Sequence, residues 1–183
     1  MRSKALIVAP LFCLDLRTVN VRPATEADLP GLNDVYNDYV ANAHYTFDVE
    51  PMAMDARREW FSHYGSAGRY RVLVAIDGDA VAGYASSSRY RIKPAYETSI
   101  ETSIYLAPEA TGKGIGTKLY AALFDALRGE DVHRAYAGIS LPNPASIALY
   151  EKFGFKRAGL YTEQGRKFGR YWDVAWYEKA FGH

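Results

Sequence analysis

At 183 residues, 49% of them hydrophobic and 23% charged, the chain has the length and composition of one folded domain with a buried core, not of a disordered or fibrous protein. A formal net charge of +1, with Lys and Arg spread along the chain, offers no general field for nucleic acid. Cys13 is the single cysteine, which excludes an internal disulfide and a cysteine metal cage; the four histidines (44, 63, 133 and 183) lack ligand spacing, so no metal is expected and a reducing cytoplasm fits.

Arg2 and Lys4 precede an apolar run over residues 5–16 that loosely imitates a signal peptide. It is too short to span a membrane, Pro10 and Asp15 interrupt it, and no small-residue cleavage site follows. Residues 1–17 are therefore expected to be an extension ahead of a cytoplasmic domain over 18–183, with no membrane partner.

Residues 18–22 read as a first strand. Thr25 with Asp28 three positions on gives a capping-box-like helix start, and Leu32, Val35, Tyr36, Tyr39 and Val40 make that helix's apolar stripe. Residues 43–51 form an irregular aromatic loop holding His44, Tyr45 and Phe47, and a second helix is predicted over 55–64. Tyr70, Val72, Val74 and Ile76 alternate in a largely buried strand, Asp77-Gly78 marks a hairpin turn, and the partner strand runs from 80 to about 90. Arg89, Arg91 and Lys93 continue the alternation toward Pro94 and are predicted on one face of a strand.

The next strand alternates Ser99, Glu101, Ser103 and Tyr105 with Ile100, Thr102, Ile104 and Leu106, and Pro108 closes it. Gly112, Gly114 and Gly116 follow, and residues 118–128 carry Leu119, Leu123, Ala126 and Leu127 on one helical stripe. Glycines at a helix N-terminus let a phosphate approach unpaired backbone N–H groups at the positive end of the helix dipole. A Walker loop is excluded because Gly112-Lys113 is followed by Gly114, and a dinucleotide fingerprint because Ile115 or Thr117 stands where its last glycine belongs.

Gly129 ends that helix, and residues 133–140 form a strand. Asn143 then caps a helix with Pro144 at its first position, and Gly154 ends it. The last strands are predicted over 155–161 and 171–177, separated by a basic turn over 162–170 with Lys167 and Arg170. The order β-α-α-β-β-β-α-β-α-β-β is α/β, with a mixed, mostly antiparallel twisted sheet flanked by helices.

The T-G-K-G-I-G loop in this setting resembles the acetyl-CoA loop of the GNAT acetyltransferases, Arg/Gln-x-x-Gly-x-Gly/Ala, with Thr111 in place of the usual Arg or Gln. Asn143-Pro144-Ala145-Ser146, Tyr150 and Gly154-Phe155 resemble that family's Asn…Tyr…Gly-Phe signature, and the likeness runs from about residue 19 to 181. Thr46-Phe47, Glu101 within IETSIYL and the run GRKFGRYWDVAWYE resemble its phosphinothricin and methionine sulfoximine N-acetyltransferase branch.

The resemblance implies acetyl-CoA as cosubstrate. Its diphosphate would lie on the backbone of Gly112, Lys113, Gly114, Ile115 and Gly116, flanked by Thr111 and Thr117, and its pantetheine on backbone groups of Ile104, Tyr105 and Leu106. Asn143 and Ser146 would add contacts from the next helix. Glu101 stands where the branch has its base, against the plainer reading of an exposed strand glutamate, and Tyr150 stands at the general-acid place, against core packing. Arg89, Arg91 and Lys93 are candidates for an acceptor carboxylate, against a solvated strand edge, with Tyr36, Phe47, Tyr90 and Tyr96 as pocket walls. Lys167 and Arg170 are placed at the substrate mouth or a dimer contact. The implied activity is acetyl transfer to the amine of a small amino-acid-like molecule by direct attack, since Cys13 lies ahead of the domain and no acyl-enzyme nucleophile stands out. Other amines (a polyamine, an aminoglycoside, a protein N-terminus) and a non-catalytic acyl-CoA sensor are the alternatives. The branch implies a homodimer.

Overall fold

The computed structural model describes residues 19–181, so the extension read over residues 1–17 lies outside the described residues. Chain order is β1 (Asn20–Pro23), α1 (Leu29–Asn42), α2 (Met54–Ser62), β2 (Arg71–Asp77), β3 (Ala80–Arg89), β4 (Ser99–Leu106), α3 (Ile115–Ala126), β5 (Arg134–Ser140), α4 (Pro144–Lys152), β6 (Lys156–Lys167) and β7 (Arg170–Ala180). The strands form one seven-stranded sheet in the order β1-β2-β3-β4-β5-β7-β6. Every neighbouring pair is antiparallel except β4 with β5, as expected for a mixed sheet.

The core lies between this sheet and its helices. α3 packs across β1 to β4 on one face, and its stripe of Ile115, Leu119 and Leu123 is fully buried. α1 lies on the opposite face against β3 and β4, with α2 beside it. The start of α1 follows the capping reading: Asp28 Oδ2 accepts from the Thr25 N–H at 2.7 Å, and the Arg22 guanidinium holds both Asp28 oxygens at 2.7 Å. That pairing, together with the Thr25 contacts, pushes the Asp28 carboxyl down to about 2.

Three predicted boundaries are corrected. The first hairpin turns at Gly78 and Asp79, with Asp77 already paired to Ala80, because Gly78 takes the left-handed backbone (φ 59°) that such a turn needs. β3 ends at Arg89, so Arg91 and Lys93 lie in a coil that leads into a short 3-10 turn over Pro94–Tyr96, where proline removes a ladder donor. The basic turn predicted over 162–170 is mostly strand: β6 runs to Lys167 and meets β7 at Arg170 through Phe168 and Gly169, both left-handed at φ 53° and 75°. Register shifts between Arg157 and Gly159 and between Tyr161 and Gly165 broke the period-two signal that would have marked this length of strand.

Candidate functional site

β4 and β5 are paired only at their beginnings, through Ser99–Arg134, Ile100–Ala135 and Glu101–Tyr136. Beyond Glu101 the two strands part, β4 staying with β3 to Leu106 and β5 staying with β7 to Ser140. Strands that leave one another expose rows of backbone donors and acceptors that require partners. A cavity of about 600 Å³ fills the opening, bordered by β4 from Thr102 to Leu106, by Gly138 to Ser140 of β5, by the glycine loop and by α4 along its length to Lys152.

Two phenols occupy part of this opened edge. Tyr150 Oη donates to the Thr102 carbonyl at 2.8 Å, and Tyr39 Oη donates to the Leu106 carbonyl at 2.9 Å while lying 3.4 Å from the Leu106 N–H. Backbone groups of alternate residues point the same way along a strand, so the N–H and C=O of Ile104, midway between, face the cavity too. The Tyr105 backbone is turned toward its partner Tyr84 instead, and its ring lies among Tyr36, Tyr39 and Tyr84 at centroid distances of 5.1, 5.3 and 5.4 Å.

At the far end, α3 begins at Ile115, one turn earlier than its stripe suggested, with Gly114 as N-cap at φ 77° and Gly112 at φ 71°. The space where a Gly112 Cβ would stand is open. A Gly116 Cβ, by contrast, would meet Leu149 Cδ2 at 3.2 Å, so this glycine serves the close packing of α3 on α4. Ile115 points its side chain into the core with no exposure and can offer the cavity only its backbone. Lys113 does not border the cavity, and the Thr111 hydroxyl is spent on the Pro108 carbonyl at 2.8 Å, closing the turn before the loop. Asn143 Oδ1 accepts from the Ser146 N–H at 3.1 Å, as read for a cap, and both residues border the cavity.

The donor set fits coenzyme A: left-handed glycines without side chains, a helix N-terminus, and Lys152, whose Nζ lies 3.4 Å from Thr117 Oγ1. Sequence reasoning missed Lys152, although its place at the end of α4 after the Asn143 cap is a signal that a fold-level reading can use. It also missed Tyr39, which in the sequence belongs to an apolar stripe, and Tyr45, which borders the cavity beside it.

Glu101 sits at the fork, half-buried, and burial raises its carboxyl while the nearby Arg91 charge lowers it by less. Parallel pairing puts Glu101 and Tyr136 on one face of the sheet, and Tyr136 stacks on Tyr90 at 4.3 Å, which carries the Arg91 guanidinium at 4.6 Å. Tyr96 meets the edge of Tyr90 at 6.0 Å. Arg89 and Lys93 are exposed. Tyr36 and Phe47 lie behind the cavity's border. The Tyr36 phenol donates to Asp48 Oδ2 at 2.6 Å, and the Phe47 ring covers Gly165, where a Cβ would meet it at 2.4 Å. Lys167, expected at the substrate mouth or a dimer contact, is only 3% exposed; its Nζ donates to the carbonyls of Thr46 and Tyr39, tying the aromatic loop to β6. Arg170 stacks on Trp172 at 3.9 Å, and His44 stacks on Trp172 at 3.8 Å.

Comparison with known proteins places this geometry in a family. Residues 32–155, more than half the chain, match the model of the acetyltransferase (GNAT) family. The chain is 56% identical to a phosphinothricin N-acetyltransferase of Streptomyces coelicolor over 163 residues, covering 88% of this chain and 95% of that protein. It is 35% identical to an L-methionine sulfoximine/L-methionine sulfone acetyltransferase of Pseudomonas paraeruginosa over 86% of this chain and 91% of that one. The crystal structure of a GNAT superfamily phosphinothricin acetyltransferase from Sinorhizobium meliloti in complex with acetyl-CoA superposes with a TM-score of 0.83 at 35% identity, covering 90% of this chain and 89% of the other. A parted β4–β5 pair, a glycine loop at a helix start and a match through most of the chain agree: the chain belongs to the GNAT acetyltransferase family.

Proposed function

We propose that this chain transfers the acetyl group of acetyl-CoA to the α-amino group of a small amino-acid-like acceptor of the phosphinothricin or methionine sulfoximine type, in a direct attack. The observation that supports the reading is the parting of β4 and β5 directly after Glu101, one residue ahead of Thr102, where the border of the cavity that fits coenzyme A begins. The two relatives named above, which act on such acceptors, support the choice.

Acetyl-CoA supplies the activated acetyl thioester; the chain's residues do the rest. The N–H groups at the start of α3, with Lys152, hold the diphosphate. The Ile104 N–H, in the row between the Tyr150 and Tyr39 contacts, is the donor available to a carbonyl oxygen that gains charge during attack. An α-amine at neutral pH is mostly ammonium, and Glu101 accepts its proton; burial raises this carboxyl toward the range in which a base works best near neutrality. Tyr150, pushed up to about 12 by burial, keeps its proton at neutral pH; it becomes the donor for the departing thiolate once its hydroxyl leaves the Thr102 carbonyl, to which it donates in this structure. Arg91, on the same side as Glu101, is the cation for an acceptor carboxylate. A homodimer belongs to this reading, supported by Leu160, Tyr161, Phe168 and Tyr171, which stand 41–56% exposed on and between β6 and β7. A cytoplasmic location also belongs to it, supported by the single cysteine; among the described residues no helix is long and apolar enough to cross a membrane.

The test is release of free thiol from acetyl-CoA in the presence of phosphinothricin, methionine sulfone, alanine, spermidine and an aminoglycoside. Turnover concentrated on the amino acids is expected. Tight coenzyme binding with no turnover on any amine would replace the enzyme by a sensor, and a preference for spermidine or the aminoglycoside would move the acceptor class.

A further inference from the structure

An exposed glycine stands in the interior of the sheet. Gly138 lies in β5 between Ala137 and Ile139, which are 0% and 3% exposed, and β5 itself is flanked by β4 and β7. Glycine weakens a strand interior, and where it occurs there it often marks a close approach by something else. Two ordinary reasons for a glycine are absent. Its backbone is not among the positive-φ glycines, and a Cβ built on it would meet Trp176 Cη2 and Cζ2 and Val174 Cγ1 at 3.4 Å, an ordinary contact distance. Room for a side chain exists and is left vacant.

The vacancy faces the proposed chemistry. Tyr136, two residues earlier, is on the same face as Gly138 and is in parallel register with Glu101, and Trp176 is the antiparallel partner of Gly138. Gly138 borders the cavity on the β5 side, across the parted strands from Ser103 and Ile104. Around it runs an aromatic floor: Tyr90 stacked on Tyr136, the edge of Trp176 at 6.4 Å from Tyr90, and Tyr161 at 6.0 Å from Trp176. On this face the aromatic loop reaches β6 and β7 at Gly165 and Trp172, through Phe47 and His44, while Trp176 stays half-buried and Gly138 exposed.

We propose that the side chain of the acceptor lies over Gly138 against Trp176 and Val174, and that the missing side chain at 138 sets the upper limit on acceptor length. The ligand class is an amino acid with a side chain about as long as that of methionine sulfone or phosphinothricin, its distal group packed on the aromatic floor. This rests on the amino-acid acceptor reading above.

The experiment compares the wild type with Gly138→Ala and Gly138→Val at saturating acetyl-CoA, measuring kcat/KM for L-alanine, L-methionine sulfone and phosphinothricin, and coenzyme A binding by calorimetry. In Gly138→Val the ratio of kcat/KM for the long acceptors over L-alanine falls about ten-fold or more, Gly138→Ala shifts it by less in the same direction, and the coenzyme Kd stays within about two-fold. An unchanged ratio with both acceptor sizes turned over would overturn the proposal. So would a coenzyme Kd that rises in step with an equal loss on every acceptor, which would assign Gly138 to the coenzyme channel. If the valine variant does not fold, the ratio in the alanine variant decides with the same signs. A wild type that acetylates no amine overturns the acceptor reading itself, and this inference with it.

Discussion

In the proposed mechanism Glu101 has to meet two demands: it needs a raised carboxyl to hold a proton taken from an ammonium, yet must be ionised when the acceptor arrives. Burial at the fork supplies the first, and the Arg91 charge restrains it. In the proposed mechanism the acidic limb of the kcat/KM profile reports Glu101. Glu101→Gln should therefore lower kcat by roughly 100-fold or more and abolish that limb. Arg91→Met removes the term that lowers the Glu101 pKa, so the limb should move to higher pH, whereas Tyr150→Phe should lower kcat and leave the limb where it is. A limb that stays in place in Glu101→Gln would remove Glu101 from the proton path. The resemblance of IETSIYL to the phosphinothricin branch points to this residue, but its partner was not legible. Arg91 was expected on a strand face with Arg89, and only the end of β3 at Arg89 brings it back over Tyr90. Tyr39 was equally hidden, because a tyrosine on an apolar helical stripe gives no sign that its hydroxyl reaches a carbonyl 67 positions away.

Among the elements, the glycine loop and the start of α3 make up the proposed coenzyme A site, and its parts are separable. Gly112 and Gly114 are required by conformation and Gly116 by packing on Leu149, and the space beside Gly112 is open to approach as well. Lys152 brings charge from α4 rather than from the loop. Gly114→Ala places a Cβ in the left-handed region at a cost of about 1–2 kcal/mol, and should lower Tm as well as weaken coenzyme A binding. Lys152→Met should raise the coenzyme A Kd about five-fold, an exposed contact being worth about 1 kcal/mol, and leave Tm unchanged. The Lys152 effect should shrink as salt is raised, since exposed charges are screened. A Kd in Lys152→Met equal to that of wild type at low salt would take this lysine out of the site. The loop and the Asn143 cap were legible because both are local signals within a few residues. The arm formed by β6 and β7 was not, because its two register shifts and the two-residue turn at Phe168 and Gly169 disguise long strands as a polar loop.

On the scale of the whole molecule, the sheet is finished unequally. α3 and α1 cover the half built from β1 to β4, whereas β7 and β6 continue beyond them and end in a strand whose residues are mostly exposed. An edge strand of twelve residues is a standing invitation to pair with another chain. Here the shifts at Arg157–Gly159 and Tyr161–Gly165 interrupt the ladder, which disfavours continuous edge-to-edge pairing and leaves the side-chain faces as the surface for association. Leu160, Tyr161, Phe168 and Tyr171 are large apolar or aromatic groups on that arm, and burying such groups is the usual driving force of a symmetric dimer. In the proposed homodimer the contact is thus made by faces of the β6–β7 arm. Leu160→Glu combined with Tyr171→Glu should convert a dimer seen by sedimentation equilibrium into a monomer, with the far-ultraviolet circular dichroism of the wild type retained. Tyr161 is better left intact in this experiment, because its ring lies 6.0 Å from Trp176 and belongs to the floor near the proposed acceptor. A wild type that sediments as a monomer at micromolar concentration would remove the dimer. A dimer untouched by the double substitution would move the contact to another surface. If the monomeric variant keeps its kcat, each chain carries a complete site; if kcat falls with the loss of the dimer while coenzyme A still binds, the arm of one chain completes the acceptor side of the other.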